Sequence, residues 1–292
     1  FVLILDYNGN RNIFPDVPLP GVAYREVVDE TFTYVLGLPA SQVVWKPIED
    51  YLAQGGMLTS PENAPPRYRA ELLKLMATFV DSSLAGAAGF ADTINDAPGL
   101  TERIAACRIT LEKTDHARKV LAVMAEFGAD TGRYATHQPW TARVARDAEL
   151  GPVRHGGDMR LSVFHYPLEG WADAVVMNTL MGRAVTVQLD EFARVSYQPL
   201  AEAFRAILPV ERRHAELGEE GLRGLAETDR ETVAGSVRYW HPRVAESFGA
   251  AESRRYQMLK GWGLRHRSNA ELLAEWESGT AKLLSELGLP AA

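Results

Sequence analysis

From Arg67 onward the chain carries a sustained hydrophobic period of three to four residues, and this feature rules out most architectures. Leu72, Leu73, Leu75, Met76, Phe79, Val80 and Leu84 form an apolar stripe that runs into residues 85–91, the spacing that lines one face of an α-helix. Asn95-Asp96-Ala97-Pro98-Gly99 reads as a turn, and a second helical period extends from Leu100 to Phe127, with Gly128 in a C-cap position. Four core helices are expected near residues 67–94, 100–127, 171–195 and 200–225, followed by two more near 230–247 and 269–287. Pro199 suits a first turn, whereas Pro209 falls inside its helix and is expected to kink it. No convincing strand alternation follows residue 64, and short turns between long helices favour antiparallel neighbours, so the expected fold is an all-α bundle.

Residues 1–64 read as an N-terminal extension to a helical domain at 65–292. Within the extension, Tyr24 to Leu36 and Val44 to Leu52 read as short helices; Gly55-Gly56 and the segment from Pro61 to Pro66 mark the boundary. Residues 129–163 are polar and rich in Arg and Gly, with Trp140 as the large anchor, and read as a long crossover. A chain of 292 residues, 46% hydrophobic and 24% charged, can bury a sizeable core. Its net charge of −7 gives no reason to expect nucleic acid or an anionic membrane as partner. The single cysteine, Cys107, has apolar sequence neighbours and no internal disulfide partner, which points to a reducing, cytoplasmic setting. No apolar run approaches the ~20 residues of a membrane span. A start at Phe1 suggests that further residues precede it.

Two short motifs carry the chemistry. Glu211 and His214 are three residues apart in one helix, as are Lys113 and His116 in another, so each pair shares a face. The first pair is a complete Glu-x-x-His, the unit that di-iron carboxylate bundles use once on each of two helices. In the second pair Lys113 stands where the carboxylate would be, a positive charge at a position that would otherwise neutralise metal.

From about Tyr68 to Pro290 the chain resembles the phenylacetic acid catabolic proteins, and more closely the catalytic than the non-catalytic ferritin-like subunit of bacterial phenylacetyl-CoA epoxidase. The residues that carry this are Tyr68-Arg69, Asp96-Ala97-Pro98, His116, Phe164-His165-Tyr166-Pro167, Trp171-Ala172-Asp173, Ser196-Tyr197-Gln198-Pro199 and Glu211-x-x-His214, with a looser match at Trp276-Glu277 and Leu287-Gly288-Leu289-Pro290. The resemblance implies a ferritin-like four-helix core, an oxygen-activating di-iron centre, an acyl-CoA substrate, a related ferritin-like subunit in an oligomer and a reductase that delivers electrons. It also places the six ligand positions at Ser83, Lys113, His116, Gly182, Glu211 and His214, where three of four carboxylates are absent.

Two readings of the remaining residues stay open. His116, Glu211 and His214 are a two-histidine, one-carboxylate set of the kind that holds mononuclear iron; equally, they form a metal-free polar cluster in a bundle core. Lys113 is then either the ion-pair partner of Glu211 or, with Glu211, a catalytic acid–base or nucleophilic group. Asp81, Glu112, Asp115, Asp190 and Glu191 are the carboxylates near enough in sequence to substitute, but solvated or inter-helix ion-paired roles suit them better. Arg143, Arg146, Arg154 and Arg160 read either as contacts to the phosphates of a CoA-type ligand or as a solvated loop. Trp171, Trp240 and Trp262 read as core or interface anchors. Function divides accordingly between an altered oxygenase-type component and a metal-free scaffold subunit. Exposed apolar residues in the first and last segments are expected to support association.

Overall fold

The computed structural model describes residues 3–4, 23–29, 32–37, 48–136, 139–150 and 158–290. After a short helix α1 (Ile48–Ala53) come α2 (Pro66–Thr93) and α3 (Leu100–Glu126), then a one-turn α4 (Arg133–Thr136). The second long pair is α5 (Gly170–Phe192) and α6 (Gln198–Thr228). Helices α7 (Arg230–Ala245), α8 (Tyr256–Gly261) and α9 (Asn269–Glu286) complete the chain. Helix α2 packs along α3 and α5 along α6, the two pairs meet through α3–α6 and α2–α5, and α7 and α9 cover α5. This is the ferritin-like bundle, all-α across the helical domain.

Local sequence explains the helix ends. Proline sits at the first position of α2, where its missing N–H is no loss. Gly128 takes φ +76° directly after α3, a conformation other residues resist. Ser268 and Glu271 form a reciprocal capping box at the start of α9. Helix α6 runs on through Pro209, which lies inside it as the sequence places it.

The short helix expected from Tyr24 to Leu36 is instead a pair of strands. β2 (Ala23–Asp29) and β3 (Phe32–Gly37) pair antiparallel, with Tyr24 opposite Leu36 and Glu26 opposite Tyr34, and β1 (Leu3–Ile4) adds a third strand beside β2. Tyr24, Val27, Val28, Phe32, Thr33, Tyr34 and Val35 are β-branched or aromatic, and this preference for a pleated surface outweighs the weak helical period. The second expected piece, from Val44 to Leu52, corresponds in part to α1.

One core cluster joins Tyr68, Leu72, Met76 and Val80 of α2 to Val120 of α3 and Leu200, Phe204 and Ile207 of α6; it also takes in Leu52, Leu58 and Ala64. A second joins Leu180 of α5, Leu222 of α6, Val237 and Trp240 of α7 and Trp276 of α9. Helices α5 and α6 approach very closely: a Cβ on Gly182 would lie 3.2 Å from the Ala215 Cα, and one on Gly218 would lie 3.1 Å from the Thr179 Cα. Glycine suits these crossings by its small size, not by backbone angle.

Several recognition motifs turn out to be structural joints. Ser196 donates to the Trp262 carbonyl, shares a 2.9 Å hydrogen bond with the Tyr68 hydroxyl and accepts the Leu58 N–H at its carbonyl (2.7 Å). Asp173 is buried and receives Arg146 at 2.7 and 3.0 Å, the Glu169 N–H at 3.0 Å, the Trp240 indole N–H at 2.8 Å, and the Ser236 hydroxyl. Burial pushes the Asp173 carboxyl up, but these donors, Arg146 foremost, outweigh it and hold the group below its ordinary range. Removing the carboxylate in Asp173→Ala takes the main partner from the partly buried Arg146 guanidinium and leaves the buried Trp240 indole N–H without one. The loss is expected to be ~2–4 kcal/mol by urea unfolding, from the donors left unpaired; a loss below ~1 kcal/mol would show that the joint is dispensable.

Candidate functional site

Helices α3 and α6 each bring two polar side chains to the bundle interior, as their i, i+3 spacing requires. The Lys113 Nζ lies 2.9 Å from Glu211 Oε2 and 3.1 Å from Oε1. His116 Nδ1 lies 2.9 Å from Glu211 Oε1, and His214 Nδ1 is 3.4 Å from Oε2. The two imidazoles stack with centroids 5.9 Å apart. On its other side His214 Nε2 meets Glu112 Oε2 at 2.6 Å. All the residues in this cluster lie on the two facing helices.

Glu211 is 2% exposed, so its charge must be compensated inside the protein. Burial pushes its carboxyl up, yet the Lys113 charge and the contacts of His116 and His214 more than reverse this and hold it well below the ordinary glutamate value. The pair is therefore an ammonium and a carboxylate, not a neutral acid and amine. Glu112 reaches His214 although its Cβ is rotated one residue from the Lys113–His116 face, because a glutamate side chain spans that offset.

The donor set does not fit a di-iron centre. Both oxygens of Glu211 are engaged by Lys113 and His116, Ser83 offers only a hydroxyl, and Gly182 has no side chain. The close approach of Ala215 also leaves no room to add a carboxylate at Gly182 without separating α5 from α6. Iron at His116, Glu211 and His214 would have to displace the Lys113 ammonium from the same carboxylate. Among the described residues no group of three or more His, Cys, Asp or Glu side chains is arranged to hold a metal ion.

The other candidate carboxylates have structural partners. Asp115 pairs with Arg118 and Lys119 along α3, and Asp190 lies near Arg194, Arg212 and Arg267. Asp81 is buried, neither solvated nor shown in an ion pair, and accepts the Met159 N–H at 2.7 Å, while buried Glu191 accepts the His266 and Arg267 N–H groups and is ion-paired to Arg194 and Arg267.

Among the described crossover arginines, the guanidinium groups of Arg143, Arg146 and Arg160 are taken up by protein partners. Arg160, buried, donates to the carbonyls of Pro139, Trp140 and Ala142 and pairs with Asp158; Arg143 donates to those of Ala85, Trp140 and Ala142. Arg146 is held by Asp173, and Arg154 lies outside the described residues. Trp240 and Trp262 are core anchors, and Trp171 packs partly buried against Phe90, Ala106 and Ile109. Cys107 is exposed rather than enclosed by its apolar neighbours.

A cavity of about 610 Å3 opens beside the ion pair. Phe79, Met181, Phe192 and Leu264 contribute to its apolar wall, and Ser83, Lys113 and Glu211 lie on its lining. The segment from Ser247 to Arg265, which carries no helical period strong enough to flag it, supplies the opposite side.

A ferritin-like bundle with Glu-x-x-His on its fourth core helix defines the class. The chain belongs to the phenylacetic acid catabolic protein family, whose description matches residues 54–291. It is similar to one of the subunits of 1,2-phenylacetyl-CoA epoxidase from Escherichia coli (strain K12), at 24% identity over 247 residues that cover 82% of this chain and 75% of the relative.

Lys113→Ala is expected to destabilise the protein by ~3–5 kcal/mol at neutral pH, because it removes the ammonium that faces the buried Glu211 carboxylate. A folded-state carboxyl held below 4.5 stabilises fully above that value, and the contribution fades as pH falls through the lowered value. The wild-type advantage over Lys113→Ala should thus hold steady in unfolding curves at neutral pH and shrink in acid. An advantage that grows on acidification would contradict the ion pair.

Proposed function

We propose that this chain is a metal-free ferritin-like subunit of a multicomponent oxygenase-type system related to phenylacetyl-CoA epoxidase, in which it scaffolds a partner instead of activating oxygen. The observation that carries this reading is Lys113, whose ammonium binds both oxygens of the one glutamate left in the ligand set, at 2.9 and 3.1 Å. A cation of the protein's own thereby does the neutralising work of iron. An iron-dependent component drawing electrons from a reductase requires Lys113 to leave that carboxylate, with which it makes its ion pair among the described residues.

The partner in this proposal is a related ferritin-like subunit, with a second copy of this chain as the homomeric alternative. Among the residues whose burial is described, large apolar side chains are exposed on α3, at Leu100, Ile104 and Leu111, and at Met258 on α8; the first segment, where exposed apolar residues were also expected, lies outside them. Leu100, Ile104, Cys107 and Leu111 recur at four-, three- and four-residue spacing, the seam of a helix that packs against another. No helix among the described residues is long and apolar enough to cross a membrane.

A second reading is favoured by the cavity, which opens onto Lys113 and Glu211. Here the pair acts as proton donor and acceptor toward a bound acyl-CoA or related carboxylic substrate, without iron. In that case Lys113→Met would abolish turnover while leaving ligand binding in place.

Metal analysis after iron-replete expression tests the main reading. The expected result is iron well below one atom per chain, unchanged in Lys113→Glu, since Ser83 and Gly182 still lack carboxylates. One or two tightly held irons per wild-type chain would restore the oxygenase reading.

A further inference from the structure

The outer face of α3 carries a pattern that the ion pair inside the bundle does not require. Leu100 is 75% exposed, Ile104 59% and Leu111 70%, and Cys107 between them is also exposed. At intervals of four, three and four residues, these side chains occupy alternating d and a positions of a heptad along three turns. The next two seam positions are polar, Thr114 and Arg118, and Arg118 is engaged by Asp115 of its own helix. Inward, α3 buries Ala106, Ile109 and His116, so the exposed residues are surplus to the bundle core.

Charges beside the seam decide how it can pair. Arg103 and Arg108 are both exposed and flank it on opposite sides, at a g and an e position. In a parallel pair of α3 helices a g residue faces the e residue of the next heptad on the other copy, so Arg103 would meet Arg108 twice, two like-charge contacts. In an antiparallel pair g faces g and e faces e. Arg103 then faces Thr110 of the second copy and Arg108 faces Thr101, so no like charges stand opposite one another. The same orientation sets a positions against d positions: Leu111 lies opposite Leu100, and Ile104 opposite Cys107, around a two-fold axis between Ala105 and Ala106. Each apolar side chain of the seam thus finds an apolar counterpart on a copy of itself, with the thiol serving as a small hydrophobe.

We infer that this chain pairs with a second copy of itself through α3, antiparallel, with Leu100 against Leu111 and Ile104 against Cys107 at each end. Such pairing deepens the scaffold role by assigning this face to the second copy over a related subunit. It does not rest on the site being metal-free, so metal content and self-association can fail separately. Stable interfaces bury ~1,200–2,000 Å2 in all, and a seam of three turns falls short of that, so the dimer is expected to dissociate in the micromolar range.

Light scattering of the purified full chain at ~100 μM, with no added partner, tests the pairing, and twice the chain mass is expected. Leu111→Glu changes a residue that is exposed in the single chain and that enters the dimer twice. It is expected to weaken self-association on the order of 100-fold while its thermal melt stays close to that of wild type. Thiol cross-linking tests the register. Ile104→Cys in a Cys107→Ser background, mixed with wild type and oxidised, should give a disulfide-linked dimer, since position 104 lies opposite Cys107 of the second copy. Wild type alone should link little, because its two thiols are offset by three residues, ~4.5 Å along the axis in addition to the separation across the seam, past the spacing a disulfide allows. A monomer at that concentration would overturn the proposal and leave the face to a different subunit. A dimer unaffected by Leu111→Glu, or wild type that links as readily as the mixture, would overturn it as well.

Discussion

The buried carboxylate of Glu211 is the constraint around which the interior of this bundle is arranged. A charge 2% exposed cannot rely on water, so the helices facing it must supply compensation. Lys113 provides a full opposite charge, His116 a direct hydrogen-bonding nitrogen, and His214 a second imidazole held from behind by Glu112. In a metal-binding relative of this architecture two cations would face four carboxylates; here one ammonium faces one. Ser83 borders a cavity, and Gly182 lets α6 approach within contact distance of α5.

That close approach depends on joints outside the site. Asp173 binds the start of α5 to the crossover through Arg146 and to α7 through Ser236 and Trp240, so one carboxylate sets the position of three segments. Ser196 does the same at the other end, linking the α5–α6 turn to residue 58, to Tyr68 of α2 and to the loop before α9. Arg143 and Arg160 bind carbonyls of the irregular crossover, and Arg143 also ties it to the Ala85 carbonyl of α2.

The long helices were legible because burial along a cylinder imposes a period that survives in any sequence with a continuous stripe, as α2 and α6 show. The meeting of Lys113 with Glu211 was legible through spacing within each helix together with the family resemblance, which put the two faces opposite one another. The β2–β3 pair was not, since its alternation is brief and its β-branched residues also fit a weak helical period. Arg143 and Arg160 misled for a different reason: an arginine that binds carbonyls looks the same in sequence as one that binds phosphate, and the carbonyls leave no trace in side-chain identity. Glu112 was assigned by Cβ direction, yet its carboxylate reaches His214 through three flexible torsions. The segment from Ser247 to Arg265 lines the cavity through tertiary placement, so no local pattern could mark it.

If Lys113 and Glu211 compensate one another in place of metal, their energies must be coupled, and a double-mutant cycle measures that coupling directly. Urea unfolding of wild type, Lys113→Met, Glu211→Leu and the double variant supplies the four free energies. The account predicts that each single variant is strongly destabilised, whereas the double variant recovers most of the loss, with a coupling of ~2–4 kcal/mol, because no unpaired charge then remains buried. Losses that simply add in the double variant would contradict it and leave the two residues as neighbours without a shared role.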